Sequence, residues 1–171
     1  MEPITILATV GSCVKMGYEL GRKTERLIRV WKTTSPALLA INNEIADLTV
    51  VLDHLARAQA AVLAVHDDGE KGGGGEKTKA AAQNEDFVLA LDTQLRDARK
   101  ALELFDAFIA DVEARPGGFQ RKWRWVMKSP LVPEYQRRIR GSRERITDLL
   151  AAHNTWVAPG TKGSGAKGER C

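Results

Sequence analysis

Apolar residues recur at alternating spacings of three and four in four separate stretches of the chain, the period of a helix that buries one face. The first stretch runs from about Pro3 to Trp31 along the seam Ile6, Val10, Cys13, Gly17, Leu20, Thr24, Leu27 and Trp31. Pro3 suits a first turn, where a missing N–H costs nothing. Ser35 and Pro36 supply an N-cap and a first-turn proline for the second stretch, whose seam is Leu38, Ile41, Ile45, Leu48, Leu52, Leu55, Gln59 and Val62 and which ends near His66. A third begins at about Asn84, follows Val88, Leu91, Leu95, Ala98, Leu102, Phe105, Ile109 and Val112, and is stopped by Pro116-Gly117-Gly118. The last runs from about Pro133 to Trp156 with Val132, Tyr135, Ile139, Ser142, Ile146, Leu149, His153 and Trp156 on one stripe.

Between the second and third stretches, residues 67–84 hold the Gly72–Gly75 run among alternating charges, the composition of a flexible internal loop. A short element with Trp123 and Trp125 links the third stretch to the last. Residues 158–171 are rich in Gly and Lys and read as a disordered C-terminal tail. Helices of about 30 residues are roughly 45 Å long and pack best side by side. The pattern therefore predicts an all-α fold: one antiparallel, up-down four-helix bundle over residues 1–157, with a short extra helix. No strand-like alternation and no internal repeat competes with it.

Composition changes this picture little. A net charge of +4 and a pI near 9.2 permit contact with anionic lipid or nucleic acid without demanding either. Cys13 and Cys171 form no framework, so a reducing, cytoplasmic setting is expected. The apolar N-terminus lacks the basic region of a secretory signal, Glu2 stands where myristoylation needs glycine, and Cys171 is misplaced for prenylation. No apolar run approaches the roughly 20 residues of a spanning helix. His54, His66 and His153 are isolated, and no Cys/His/Asp cluster has metal spacing. Gly72–Gly75 with Lys77-Thr78 resembles a phosphate loop, but Glu76 occupies the place of its last glycine and no strand precedes it. Neither catalysis nor a cofactor or metal is expected.

Three segments remain as candidates. In the first helix, Ile4, Leu7 and Val14 lie on one face and Ile6, Val10 and Cys13 on another, so this stretch is apolar nearly all round. It suits either the most buried helix of the bundle or a membrane-interaction segment formed by Ile4, Ile6, Leu7, Val10 and Val14, with Gly11, Gly17 and Gly21 allowing close helix approach. The second candidate spans residues 119–128, where Phe119, Trp123 and Val126 share a face. Arg121, Lys122, Trp123, Arg124, Trp125 and Lys128 are its candidate lipid-headgroup contacts. The same segment also reads as a helix closing one end of the bundle with Trp123 as its plug. The third is the basic stripe Arg137, Arg138, Arg140, Arg143 and Arg145, opposed in its own helix only by Glu134, Glu144 and Asp148. That stripe is either a solvated face or a site for lipid headgroups or nucleic-acid phosphates. No recognised nucleic-acid motif accompanies it.

The opening Met1-Glu2-Pro3-Ile4-Thr5-Ile6 precedes an apolar helix, a long heptad helix and a polar loop. After these come Ala101-Leu102-Glu103-Leu104-Phe105, the basic-Trp segment Lys122-Trp123-Arg124-Trp125 and an Arg-rich closing helix. Over residues 1–157 this order resembles the HeLo-like N-terminal domains of fungal STAND (NLR-like) immune receptors. The resemblance implies a cell-death-type helical module, related in kind to heterokaryon-incompatibility and innate-immunity domains, that forms homo-oligomers. Its N-terminal helix, here Ile4 to Val14, would be released to perturb the plasma membrane, and the basic residues near Trp123 and on the last helix would face lipid. Expected partners are another copy, a STAND/NLR-like receptor or other helical domain, and an anionic membrane surface. No nucleotide-binding, repeat or amyloid-motif region follows in these residues, so the chain is expected to be a standalone or truncated relative. Two other readings stay open: a scaffolding bundle without membrane activity, and nucleic-acid binding through the basic last helix.

Overall fold

The first apolar seam becomes helix α1, Pro3–Val30, and the second becomes α2, Pro36–Asp67. Helix α3 covers Lys77–Glu113, α4 covers Gly118–Lys128, and a 3₁₀ turn at Ser129–Leu131 leads into α5, Val132–Val157. We describe the chain from a computed structural model, which defines the backbone of residues 3–30, 36–67, 77–114 and 118–157 and the side chains of 6–29, 36–59, 85–114, 118, 120 and 123–153. Among these residues the fold is all-α, with four long helices and one short one. Ser35, Pro116 and Gly117, residues 68–76 of the expected loop and the tail 158–171 lie outside the described residues.

Helix α3 starts seven residues ahead of Asn84, so Asn84 is an interior residue and no cap. Residues 77–84, expected as loop, are helical: Ala80-Ala81-Ala82-Gln83 are strong helix formers and extend α3 back toward the glycine run.

The seams form the core. Ile6, Val10, Cys13, Leu20 and Leu27 of α1 meet Leu38, Ile41, Ile45, Leu48, Leu52 and Leu55 of α2, with Leu91, Leu95, Leu102, Phe105 and Ile109 of α3 and Ile139 and Ile146 of α5 completing it. Thr24 and Thr49 are also buried, their hydroxyls donating back to the carbonyls of Leu20 (2.9 Å) and Ile45 (2.7 Å). At Gly17 the two helices are so close that a Cβ would run into Thr49 Oγ1 and stand 3.3 Å from Thr49 Cβ. Gly17 thus provides the close approach expected of the glycine series. Gly11 and Gly21 do not, since nothing lies within 4 Å of a Cβ built on either.

The order of helices around the bundle departs from the simplest up-down ring. The main packing pairs are α1 with α2, α2 with α5, α5 with α3, and α3 with α1. Consecutive long helices run in opposite senses, as expected: Phe87 of α3 stacks on His153 of α5 at 4.0 Å, whereas Phe108 meets Tyr135 at 5.3 Å, so α3 and α5 are antiparallel. Along α1 and α3, however, Cys13 reaches Leu95 O and Lys23 reaches Asp106, an ascending register that makes this pair parallel. Helices α2 and α5 are parallel too, through Arg140 to Glu44 and Arg143 to Asp47. The bundle is therefore two antiparallel hairpins, α1/α2 and α3/α5, laid against each other along two parallel seams.

Candidate functional site

Helix α4 has four cations and no acid in its 11 residues, and it lies against the C-terminal end of α3. Its position is fixed by two anchors. Trp125 is buried and meets the Phe108 ring edge-on at 5.8 Å; Phe108 in turn stacks on Phe105 and packs on Tyr135. Asp111 of α3 accepts hydrogen bonds from Arg124 Nε at 3.2 Å, from Arg124 Nη2 and from Lys128 Nζ. The hydrogen bond from the Lys128 ammonium is the largest influence on the Asp111 carboxyl and, with the Arg124 guanidinium adding to it, holds that carboxyl below the usual carboxylate range against the opposing effect of desolvation.

With Trp125 turned inward, the outward face of α4 carries Trp123, Val126 and Met127, 61%, 59% and 62% exposed, followed by Leu131 at 49%. Large apolar side chains left in water side by side, rather than singly, mark a contact surface. The residue that closes the bundle end is thus Trp125 and not Trp123. Trp123, expected either as that plug or as a headgroup contact, faces solvent beside Val126, and Trp125, also expected among the headgroup contacts, is core. Positions 119, 123, 126 and 127 share one face of the helix and Trp125 stands alone on the other, so periodicity favours the larger face as the inward one; the contacts of Trp125 with Phe108 and of Arg124 and Lys128 with Asp111 turn that face outward instead. Of the cationic candidates, Arg124 and Lys128 are half-buried against Asp111, while the side chains of Arg121 and Lys122 lie outside the described set.

The membrane-interaction residues of α1 divide. Ile6 and Val10 are fully buried core residues, and Leu7 and Val14 are half-buried; the side chain of Ile4 is outside the described set. Cys13 sits between them, its thiol facing Leu95 O at 3.8 Å and its pKa pushed up by burial. Among the described residues no helix is long and apolar enough to cross a membrane, and no group of His, Cys, Asp and Glu is placed to hold a metal ion. His153, half-buried, stacks on Phe87, and His54 is exposed.

The arginine stripe of α5 meets carboxylates that its own helix does not supply. Arg140 Nε donates to buried Glu44 at 2.7 Å, and Arg143 reaches Glu44 at 3.5 Å and Asp47 at 2.7 Å. Glu44 holds the Arg140 guanidinium even more firmly protonated than usual. Arg137 and Arg138 share Glu134, at 2.5 and 2.9 Å, while Arg145 Nε donates to Gln94 at 2.7 Å with Asp97 4.0 Å away. Glu44, Asp47 and Asp97 escaped sequence reading because only the placement of α5 between α2 and α3 brings them to the stripe. Two hollows flank α5. One, of about 490 Å³ on the α2 side, sets Asp47, Glu144 and Asp148 against Arg143. The other, of about 480 Å³ on the α3 side, sets Lys100, Arg137, Arg138 and Arg145 against Asp97.

Comparison of the chain with protein-family models, with curated proteins and with solved structures found no match.

Proposed function

We propose that this chain is a non-enzymatic signalling and interaction module that docks on anionic membrane surfaces and self-associates there, with cell death as its output. The observation that carries the reading is the Trp123, Val126 and Met127 facet, displayed on a helix with four cations and no acid. Indole and thioether groups partition into the headgroup boundary, and neighbouring cations gain from a negative surface potential. In this scheme α4 makes the first contact while the bundle is closed. The resemblance to HeLo-like domains of fungal STAND proteins supplies the second stage, in which α1 leaves the bundle. Ile6 and Val10 are core residues, so that stage requires the α1 seams with α2 and α3 to open, and docking precedes insertion.

Binding to nucleic acid through α5 is the less favoured reading, because Arg140 and Arg143 are committed to Glu44 and Asp47. A scaffold whose α4 facet receives a partner helix is the outcome if lipid is not bound.

Co-sedimentation with vesicles containing phosphatidylserine tests the proposal. The full chain should sediment at low salt and be released in part at high salt, and Trp123→Asp with Met127→Asp should abolish sedimentation while leaving the helical circular dichroism intact. Equal sedimentation of the double variant, or none by the wild type, would remove the membrane reading. Growth arrest on expression, lost on replacing half-buried Leu7 and Val14 with Asp in a protein whose helical circular dichroism is intact, tests the second stage.

A further inference from the structure

The two hollows beside α5 are similar in size and opposite in sign. On the α2 side three carboxylates face one arginine, and on the α3 side four cations face one carboxylate. The chain has thus sorted the charges of one helix onto its two flanks.

The cationic hollow keeps a surplus after its own pairs are counted. Arg137 and Arg138 divide a single carboxylate, Glu134. Arg145 gives its best hydrogen bond to neutral Gln94, with Asp97 only at the limit of ion pairing. Among the described residues no carboxylate lies within ion-pair reach of Lys100. Two carboxylates therefore serve four cations. The guanidiniums of Arg137, Arg138 and Arg145 are more than half exposed, so an incoming anion meets them without unfolding anything. Beneath them the floor is small: Ala101 on α3 and Gly141 and buried Ser142 on α5. A volume of about 480 Å³ falls in the range of small-ligand sites. Guanidinium forks bind phosphate oxygens in pairs, and a multiply charged anion would satisfy several of them at once.

We propose that the α3/α5 hollow is a binding site for a compact polyanion bearing phosphate groups, held by Lys100, Arg137, Arg138 and Arg145. The ligand is either a phosphomonoester lipid headgroup or a free polyphosphate. The site is distinct from the α4 facet and does not depend on the membrane reading.

Calorimetric titration of the full chain with inorganic tripolyphosphate at low salt tests the free source, and co-sedimentation with phosphatidylcholine vesicles containing phosphatidic acid tests the lipid source. Binding of at least one probe is expected. Lys100→Ala with Arg138→Ala, both on exposed side chains, should weaken it at least about tenfold, since each removes a charge-assisted contact to the anion. Asp97→Asn should strengthen it about two- to fivefold by removing the one opposing charge from the lining. Arg57→Ala, an exposed cation on α2 paired with Asp53, should leave it unchanged. The proposal is overturned if the wild type binds neither probe, or if Arg57→Ala weakens binding as much as the double variant. The Trp123/Met127 variant separates the two ideas: if it still binds tripolyphosphate while wild-type vesicle binding is absent, the membrane reading fails and the polyanion site stands.

Discussion

Replacing Gly17 by Ala opposes two effects of known size at one position. In an exposed helix the change stabilises by about 1 kcal/mol, because glycine carries excess backbone entropy when unfolded. At Gly17 the new methyl meets Thr49 Oγ1 head-on, with Thr49 Cβ at 3.3 Å and Cγ2 at 3.4 Å. Rotating Thr49 moves the hydroxyl but forfeits its 2.7 Å hydrogen bond to Ile45 O, and no rotation moves Cβ. Overpacking of this kind costs about 1–3 kcal/mol and a lost hydrogen bond about 0.5–1.5. The net expectation is a loss of about 0.5–3.5 kcal/mol. Urea unfolding followed by circular dichroism reads this as a midpoint shift, at a slope of about 1–3 kcal/mol per molar. Thr49→Ala in the same chain should relieve the clash, giving a coupling of at least about 1 kcal/mol in the double-mutant cycle. Gly21→Ala is the control: nothing lies within 4 Å of its Cβ, so it should stabilise by about 0.5–1 kcal/mol. If Gly17→Ala also stabilises the protein, α1 and α2 are not as close as described and the reasoning fails.

Further outcomes follow from the other anchors. Trp125→Ala should cost about 3–5 kcal/mol by emptying the space beside Phe108, whereas Trp123→Ala should change unfolding by under about 0.5 kcal/mol; equal losses would reverse the assignment of the two indoles. The folded-state pKa of Asp111 is depressed, so its ion pairs add stability above the ordinary carboxylate range and lose it as pH falls through the depressed value. Wild type should accordingly lose more stability on acidification than Asp111→Asn, measured by urea midpoints across that range, and parallel curves would contradict the anchor. In a Cys171→Ser background Cys13 should react with iodoacetamide only at the rate of unfolding, because its thiol is buried and its pKa raised; rapid labelling of the native protein would show that α1 opens readily.

The core was legible along the chain wherever a helix was long enough to fix its own phase. All seven α1 seam positions from Ile6 to Leu27 are buried, Gly17 and Thr24 among them, and so are the α2 positions from Leu38 to Leu55. Helix α4 follows the opposite rule: its apolar stripe through Trp123, Val126 and Met127 faces outward because the one indole on its other side, Trp125, reaches Phe108, so periodicity alone points to the wrong plug. The neighbours of α5 were not legible either. Glu44 is 96 residues from Arg140, and they meet because α5 packs beside α2 instead of on the far side of a simple ring. Periodicity reports which face of a helix is inward and says nothing of which helix it will find there.

The arrangement as two hairpins has a kinetic consequence. Helices α1 and α2 are close in sequence, and so are α3 and α5, so each hairpin can form from local contacts. The seams between the hairpins join residues 82 to 96 positions apart, as in Cys13 to Leu95 and Glu44 to Arg140. Such distant pairings slow folding relative to a bundle whose neighbours are all consecutive. Along the backbone the two hairpins are joined through residues 68–76. Each hairpin of one molecule therefore presents the same two seams to the complementary hairpin of another, and at high concentration during refolding the chain should exchange hairpins and form an intertwined dimer that uses the monomer's own contacts.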